Sequence, residues 1–154
     1  MVTKSMSSVQ ERSKLENSAL SKIKIIRIIT VIQVIRLAGI QLFLKVQAGT
    51  FPGYFAYPFG VGDLFVGLLA LPIAYSLRNG GIRKYAFVIA WNSVGLADLL
   101  FASTVASYAG LNPSIMTDLQ TAIIVVPVSG VLHLLTIALL LTKPVQYFFS
   151  QTKQ

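Results

Sequence analysis

Arg36, Asp63, Asp98 and His133 are ionisable side chains that stand deep inside stretches built mainly of Ile, Leu, Val, Phe, Ala and Gly. Gln33, Gln41, Asn92 and Trp91 share those stretches. A charge at the centre of a hydrocarbon layer costs about 2.5–3.5 kcal/mol on insertion scales, so such residues turn to a protein interior and find partners. Asp63 and Asp98 are the acids of the apolar stretches, and Arg36 is the basic residue deep in one of them. One long guanidinium side chain can bridge two carboxylates. If both carboxylates ionise, one negative charge is left over, and it can hold a cation or relay a proton. A purely structural triad that pins helices together would use the same three residues. His133, on a stripe with Pro127 and Gly130, reads as a hydrogen-bonded packing histidine, with a ligand role as the alternative. Trp91 reads as packing.

Much other chemistry is excluded. The chain has no cysteine, so disulfides, thiolate metal sites and thiol nucleophiles are absent. It has one histidine, so a bis-histidine haem would need two copies of the chain. No nucleophile elbow, zinc-protease helix, phosphate loop or dinucleotide fingerprint occurs. The balance favours a non-enzymatic protein that binds a small ligand or ion, or an accessory subunit. The alternative is a metal- or haem-binding membrane enzyme or redox carrier using Asp63, Asp98 and His133, and the cofactor question stays open.

The elements that must position these residues follow from composition. The 154 residues suffice for one domain. Charged residues make up 12%, half the roughly 25% of a soluble domain, and 55% are hydrophobic. Mean hydropathy is +0.72. Too few charges remain to cover a soluble surface. Apolar runs fall at about 25–44, 59–77, 85–108 and 121–142, each long enough as a helix to cross a ~30 Å hydrocarbon layer. Transmembrane strands would instead alternate over about ten residues. The expectation is an all-α polytopic membrane protein, a four-transmembrane-helix bundle over 25–142. A polar basic arm, 1–24, precedes it and a short tail, 143–154, follows. The first run is the poorest, carrying Arg27, Gln33, Arg36 and Gln41. A cleaved signal peptide ending near Ala48 is the competing reading, opposed by Arg36 within the apolar core.

Net charge is +8. The basic residues cluster in short segments between runs, which signals membrane topology and anionic headgroups rather than nucleic acid. The arm holds Lys4, Arg12, Lys14, Lys22 and Lys24, and the middle loop holds Arg78, Arg83 and Lys84. The other two loops are nearly neutral. This alternation predicts both termini in the cytoplasm and a plasma (inner) membrane location. Phe51, Tyr54, Phe55, Tyr57 and Tyr108 mark the outer border, and Tyr75, Tyr85 and Tyr147 the inner one. The segment containing Pro52 and Pro58 is expected at the outer interface. Pro72 and Pro127 are expected to bend their helices. Asp118 is expected to cap the fourth. Partners are the lipid bilayer and a homo-oligomer or larger membrane complex.

Gly60-Val61-Gly62-Asp63-Leu64 matches Gly95-Leu96-Ala97-Asp98-Leu99, and each Asp lies on a stripe of small residues suited to close helix contact. Pro52-x-x-Phe55-Ala56-x-Pro58-x-Gly60-x-Gly62-Asp63-x-x-Val66-Gly67-x-x-Ala70, then Ala90-Trp91-Asn92-x-x-Gly95-Leu96-x-Asp98-Leu99, then Pro127 and Leu132-His133, together resemble a family. Its members are small uncharacterised prokaryotic four-helix integral membrane proteins. The resemblance spans roughly 30–142, leaves the basic arm outside, and implies a topology and a polar site but no reaction.

Overall fold

A computed structural model describes residues 2–110 and 120–151. Helix α1 covers Val2–Ile32, and a 3-10 segment, Gln33–Gly39, continues it into α2, Ile40–Gln47. Helices α3, Gly53–Ser76, and α4, Ile82–Tyr108, follow. Then come α5, Gln120–Leu140, and the short α6, Lys143–Ser150. Among the described residues there is no strand. Asp118, expected as a cap, lies outside the described residues.

The first apolar run is not a plain helix. The polar stretch before it is helical and continuous with it, and Ala19, Ile23 and Ile26 pack in the interior. From Gln33 the chain tightens to the 3-10 form. Residues three apart eclipse in a 3-10 helix. The row Thr30, Gln33, Arg36, Gly39 and Leu42 is buried throughout at that spacing. The tightening thus aims the guanidinium and its neighbours along one inward line. An α-helix would have turned them progressively around its surface.

Helix α2 stops at a glycine turn. Gly49 adopts φ 68, and Thr50 N–H donates to the Lys45 carbonyl at 3.0 Å, satisfying a carbonyl at the helix end. Helix α3 starts at Gly53, so Pro58 lies within it, as Pro72 does in keeping with the expectation. Helix α5 continues through Pro127. The sharp turn comes later, a 69° bend between Val126–Leu140 and Lys143–Ser150, with Pro144 opening α6.

Helices α3 and α4 are each long and apolar enough to cross a membrane. The bent pair α5–α6 makes a third candidate if it counts as one span. The first run is divided among α1, the 3-10 segment and α2, and cations as late as Lys24 and Arg27 lie in α1.

Packing forms three layers. At one end Leu42, Phe51, Phe55, Ala56 and Phe59 make an aromatic-rich cluster. At the other end Ile26, Ile73, Leu77, Val88, Leu140, Val145 and Phe149 belong to an aliphatic one. There the Tyr85 hydroxyl donates to the Leu140 carbonyl at 3.2 Å, and Gly81 N–H donates to the Phe149 carbonyl at 3.1 Å. Between these clusters, at the level of Asp63 on α3 and Asn92–Asp98 on α4, the interior is polar. Phe65, Leu68, Phe101, Val131 and Leu134 meanwhile face outward, Leu68 being 64% exposed. Water-soluble packing is inverted here, since the usual interior is apolar.

Candidate functional site

Arg36 stands at the centre of the polar layer, its side chain 0% exposed. Nε donates to Asp63 Oδ1 at 2.7 Å, and Nη2 lies 2.6 Å from the same oxygen. Nη2 also pairs with Asp98 Oδ2. Nη1 donates to the Gly95 carbonyl at 3.1 Å and lies 3.5 Å from His133 Nε2. Guanidinium has five N–H groups and no acceptor. This arrangement gives them four hydrogen bonds, to Asp63, Asp98, Gly95 and His133, and a second close ion-pair contact with Asp63.

The donor-only character of Arg36 settles the histidine. Facing an Arg N–H, His133 Nε2 must accept, so Nδ1 carries the hydrogen. It donates to Asn92 Oδ1 at 2.9 Å. The Asn92 amide then points Nδ2 at the Val88 carbonyl, 2.8 Å away. A directional chain runs from Arg36 through His133 and Asn92 to the α4 backbone. Trp91 packs edge-on against the imidazole, centroids 5.5 Å apart. Its Nε1 and Thr136 Oγ1 are buried polar atoms without a hydrogen-bond partner among the described residues.

A second polar pair lies along the 3-10 row. Gln33 Nε2 donates to the Ser129 carbonyl at 3.3 Å, and the Ser129 hydroxyl donates to Gln33 Oε1. Ser129, His133 and Thr136 are all buried and lie on one face of α5. Their spacing of four and three in an apolar run is the signal that would have found Ser129 and Thr136. Thr30, on the same row as Gln33, is recognisable only once the spacing of three is seen. Gln41 stays outside, on the exposed side of α2.

Glycines make the room. A Cβ on Gly39 would lie 2.5 Å from Asp63 Cβ and 2.8 Å from its Oδ2. One on Gly62 would collide with Asp98 Oδ1. One on Gly95 would lie 2.5 Å from His133 Nε2. Each network partner of Arg36 therefore has its own glycine opposite, on the 3-10 segment, α3 and α4 respectively. The small stripe of α3 serves a different contact: a Cβ on Gly60 would lie 2.8 Å from the Phe43 ring, and one on Gly67 2.9 Å from Leu37. Close approach on that face is between α3 and the segment from the 3-10 turn into α2.

The carboxylates differ from Arg36 in exposure. Asp63 is 26% and Asp98 17% exposed, with Asp63 Oδ2 and Asp98 Oδ1 outside the bonds to Arg36. Among the described residues no three His, Cys, Asp or Glu side chains converge as a metal site. Both imidazole nitrogens of His133 face polar partners, so ligation of a metal or haem there would break the chain to Arg36 or to Asn92.

A family model described as Domain of unknown function (DUF8737) matches residues 10–141, most of the polar arm included. No curated protein and no solved structure matches the chain.

Proposed function

The chain belongs to the DUF8737 family, and we propose that it is a non-enzymatic multi-pass plasma-membrane protein that binds a small cation at Asp63 and Asp98. Its four spans are the segment from the end of α1 through α2, then α3, α4 and α5, with both termini cytoplasmic. The inverted packing supports the membrane reading, because outward Leu and Phe beside a buried Arg, His and Asn suit a hydrocarbon surround. The basic loop residues gather at the aliphatic end, which is the cytoplasmic one on this reading, and the neutral loop with Thr50 lies at the aromatic end.

The observation that carries the cation reading is the asymmetry of exposure. One guanidinium, fully enclosed, faces two carboxylates whose side chains stay partly exposed, each with one oxygen outside the bonds to Arg36. A cation reaching those oxygens would complete the charge balance. The test is thermal unfolding of the purified protein in detergent, with Na⁺, K⁺ or Mg²⁺ titrated at constant ionic strength against N-methylglucamine. A saturable rise in Tm with one of these cations is expected, lost in Asp98→Asn, where one carboxylate already matches one guanidinium. No saturable rise, or a rise of wild-type size kept in Asp63→Asn or Asp98→Asn, would count against it. The full enclosure of Arg36 among four hydrogen-bond partners favours a second reading, a structural triad in an accessory subunit, and that reading expects the flat titration.

A further inference from the structure

A groove of about 510 Å³ runs between α1 and α3, away from the polar layer. Its two walls change character in the same direction. On α1, Val31 gives way to Arg27 and then Lys24. On α3, which runs antiparallel, Leu71 gives way to Tyr75, and Arg78 follows in the turn just after the helix. One end of the groove is apolar and the other carries three cations, with no acid among its lining residues. Two of the three cations are held in place. Arg27 Nε donates to the Ala74 carbonyl at 3.2 Å, in the last turn of α3. Arg78 lies over the Tyr75 ring, 4.7 Å from its centroid.

We propose that this groove binds one anionic phospholipid, its phosphate against Lys24, Arg27 and Arg78 and an acyl chain along Val31 and Leu71. Charge complementarity selects the occupant. An apolar-to-cationic gradient on both walls matches a molecule with a hydrocarbon end and an anionic end, whereas a free phosphate would leave the apolar half empty. On the four-span topology the basic end faces the cytoplasmic leaflet, where basic pockets between spans meet anionic headgroups. The proposal rests on the membrane reading and is independent of the cation site.

The test is native mass spectrometry of the protein released from nanodiscs of phosphatidylcholine and phosphatidylglycerol with matched acyl chains. One retained phosphatidylglycerol is expected, favoured about tenfold over phosphatidylcholine. Lys24→Gln/Arg78→Gln should remove the preference and keep Arg27 on its carbonyl. Arg12→Gln/Lys14→Gln, the same charge removed from the exposed side of α1, should keep it. Excess inorganic phosphate should not displace the lipid. Equal retention of both lipids, unchanged preference in Lys24→Gln/Arg78→Gln, equal loss in both double variants, or displacement by phosphate would each overturn the site. Failure of the chain to enter nanodiscs would instead overturn the membrane reading.

Discussion

The Cα of Gly95 abuts the imidazole of His133, so closely that a methyl group at 95 would lie 2.5 Å from both Cε1 and Nε2. The Gly95 carbonyl also accepts from Arg36 Nη1. The contrast is Gly130 on α5, where an added methyl meets only Leu99 Cδ1 at 3.9 Å. Gly95→Ala should destabilise by about 1–3 kcal/mol, because overpacking displaces His133 from the guanidinium. Gly130→Ala should stabilise by up to about 1 kcal/mol through helix propensity. Thermal unfolding of both variants in the same detergent checks the pair, and a stabilised Gly95→Ala would contradict the close contact.

Removing the central charge should be severe. Arg36→Gln leaves two carboxylates facing each other in the polar layer and should cost about 3–5 kcal/mol. Asp98→Asn added to Arg36→Gln should cost less than the sum of the two single changes, with a coupling of about 0.5–3 kcal/mol. A double-mutant cycle by chemical or thermal unfolding measures this. Strictly additive effects would mean that Arg36 and Asp98 do not act on one another.

The single histidine offers a clean reporter of the hydrogen-bond chain. With Nε2 accepting from Arg36 and Nδ1 donating to Asn92, ¹⁵N NMR of imidazole-labelled protein should show the Nδ1–H tautomer. Asn92→Leu deletes the acceptor and should mix the tautomers, as should loss of the guanidinium in Arg36→Gln. A wild-type spectrum of the Nε2–H form would reverse the order of the chain.

The topology can be read by thiol labelling, since the native chain has no cysteine. Thr50 and Asn79 are both exposed residues of loops at opposite ends of α3. An impermeant maleimide on intact cells should label Thr50→Cys and not Asn79→Cys, and permeabilised cells should label both. Labelling of residue 79 alone in intact cells would turn the protein over in the membrane.

Helix as the secondary structure, the approximate extents of the last three runs, and the polar residues within them were legible in the amino-acid order. The reason is local: long apolar runs of this length favour helices, and each ionisable residue inside such a run stands out against its neighbours. The acids at 63 and 98 and Arg36 could be singled out by type and by their position within the runs. Tertiary structure decided the rest. Residues 33–39 tighten to a period of three where they pack against α3, and this places Gln33, Arg36 and Gly39 on one line. Which glycine faces which side chain depends on the relative height of neighbouring helices, a quantity that hydrophobic patterning along one segment does not encode. The contact of His133 with Arg36 arises the same way, from residues 97 positions apart brought to one level by packing of the aliphatic and aromatic clusters on either side.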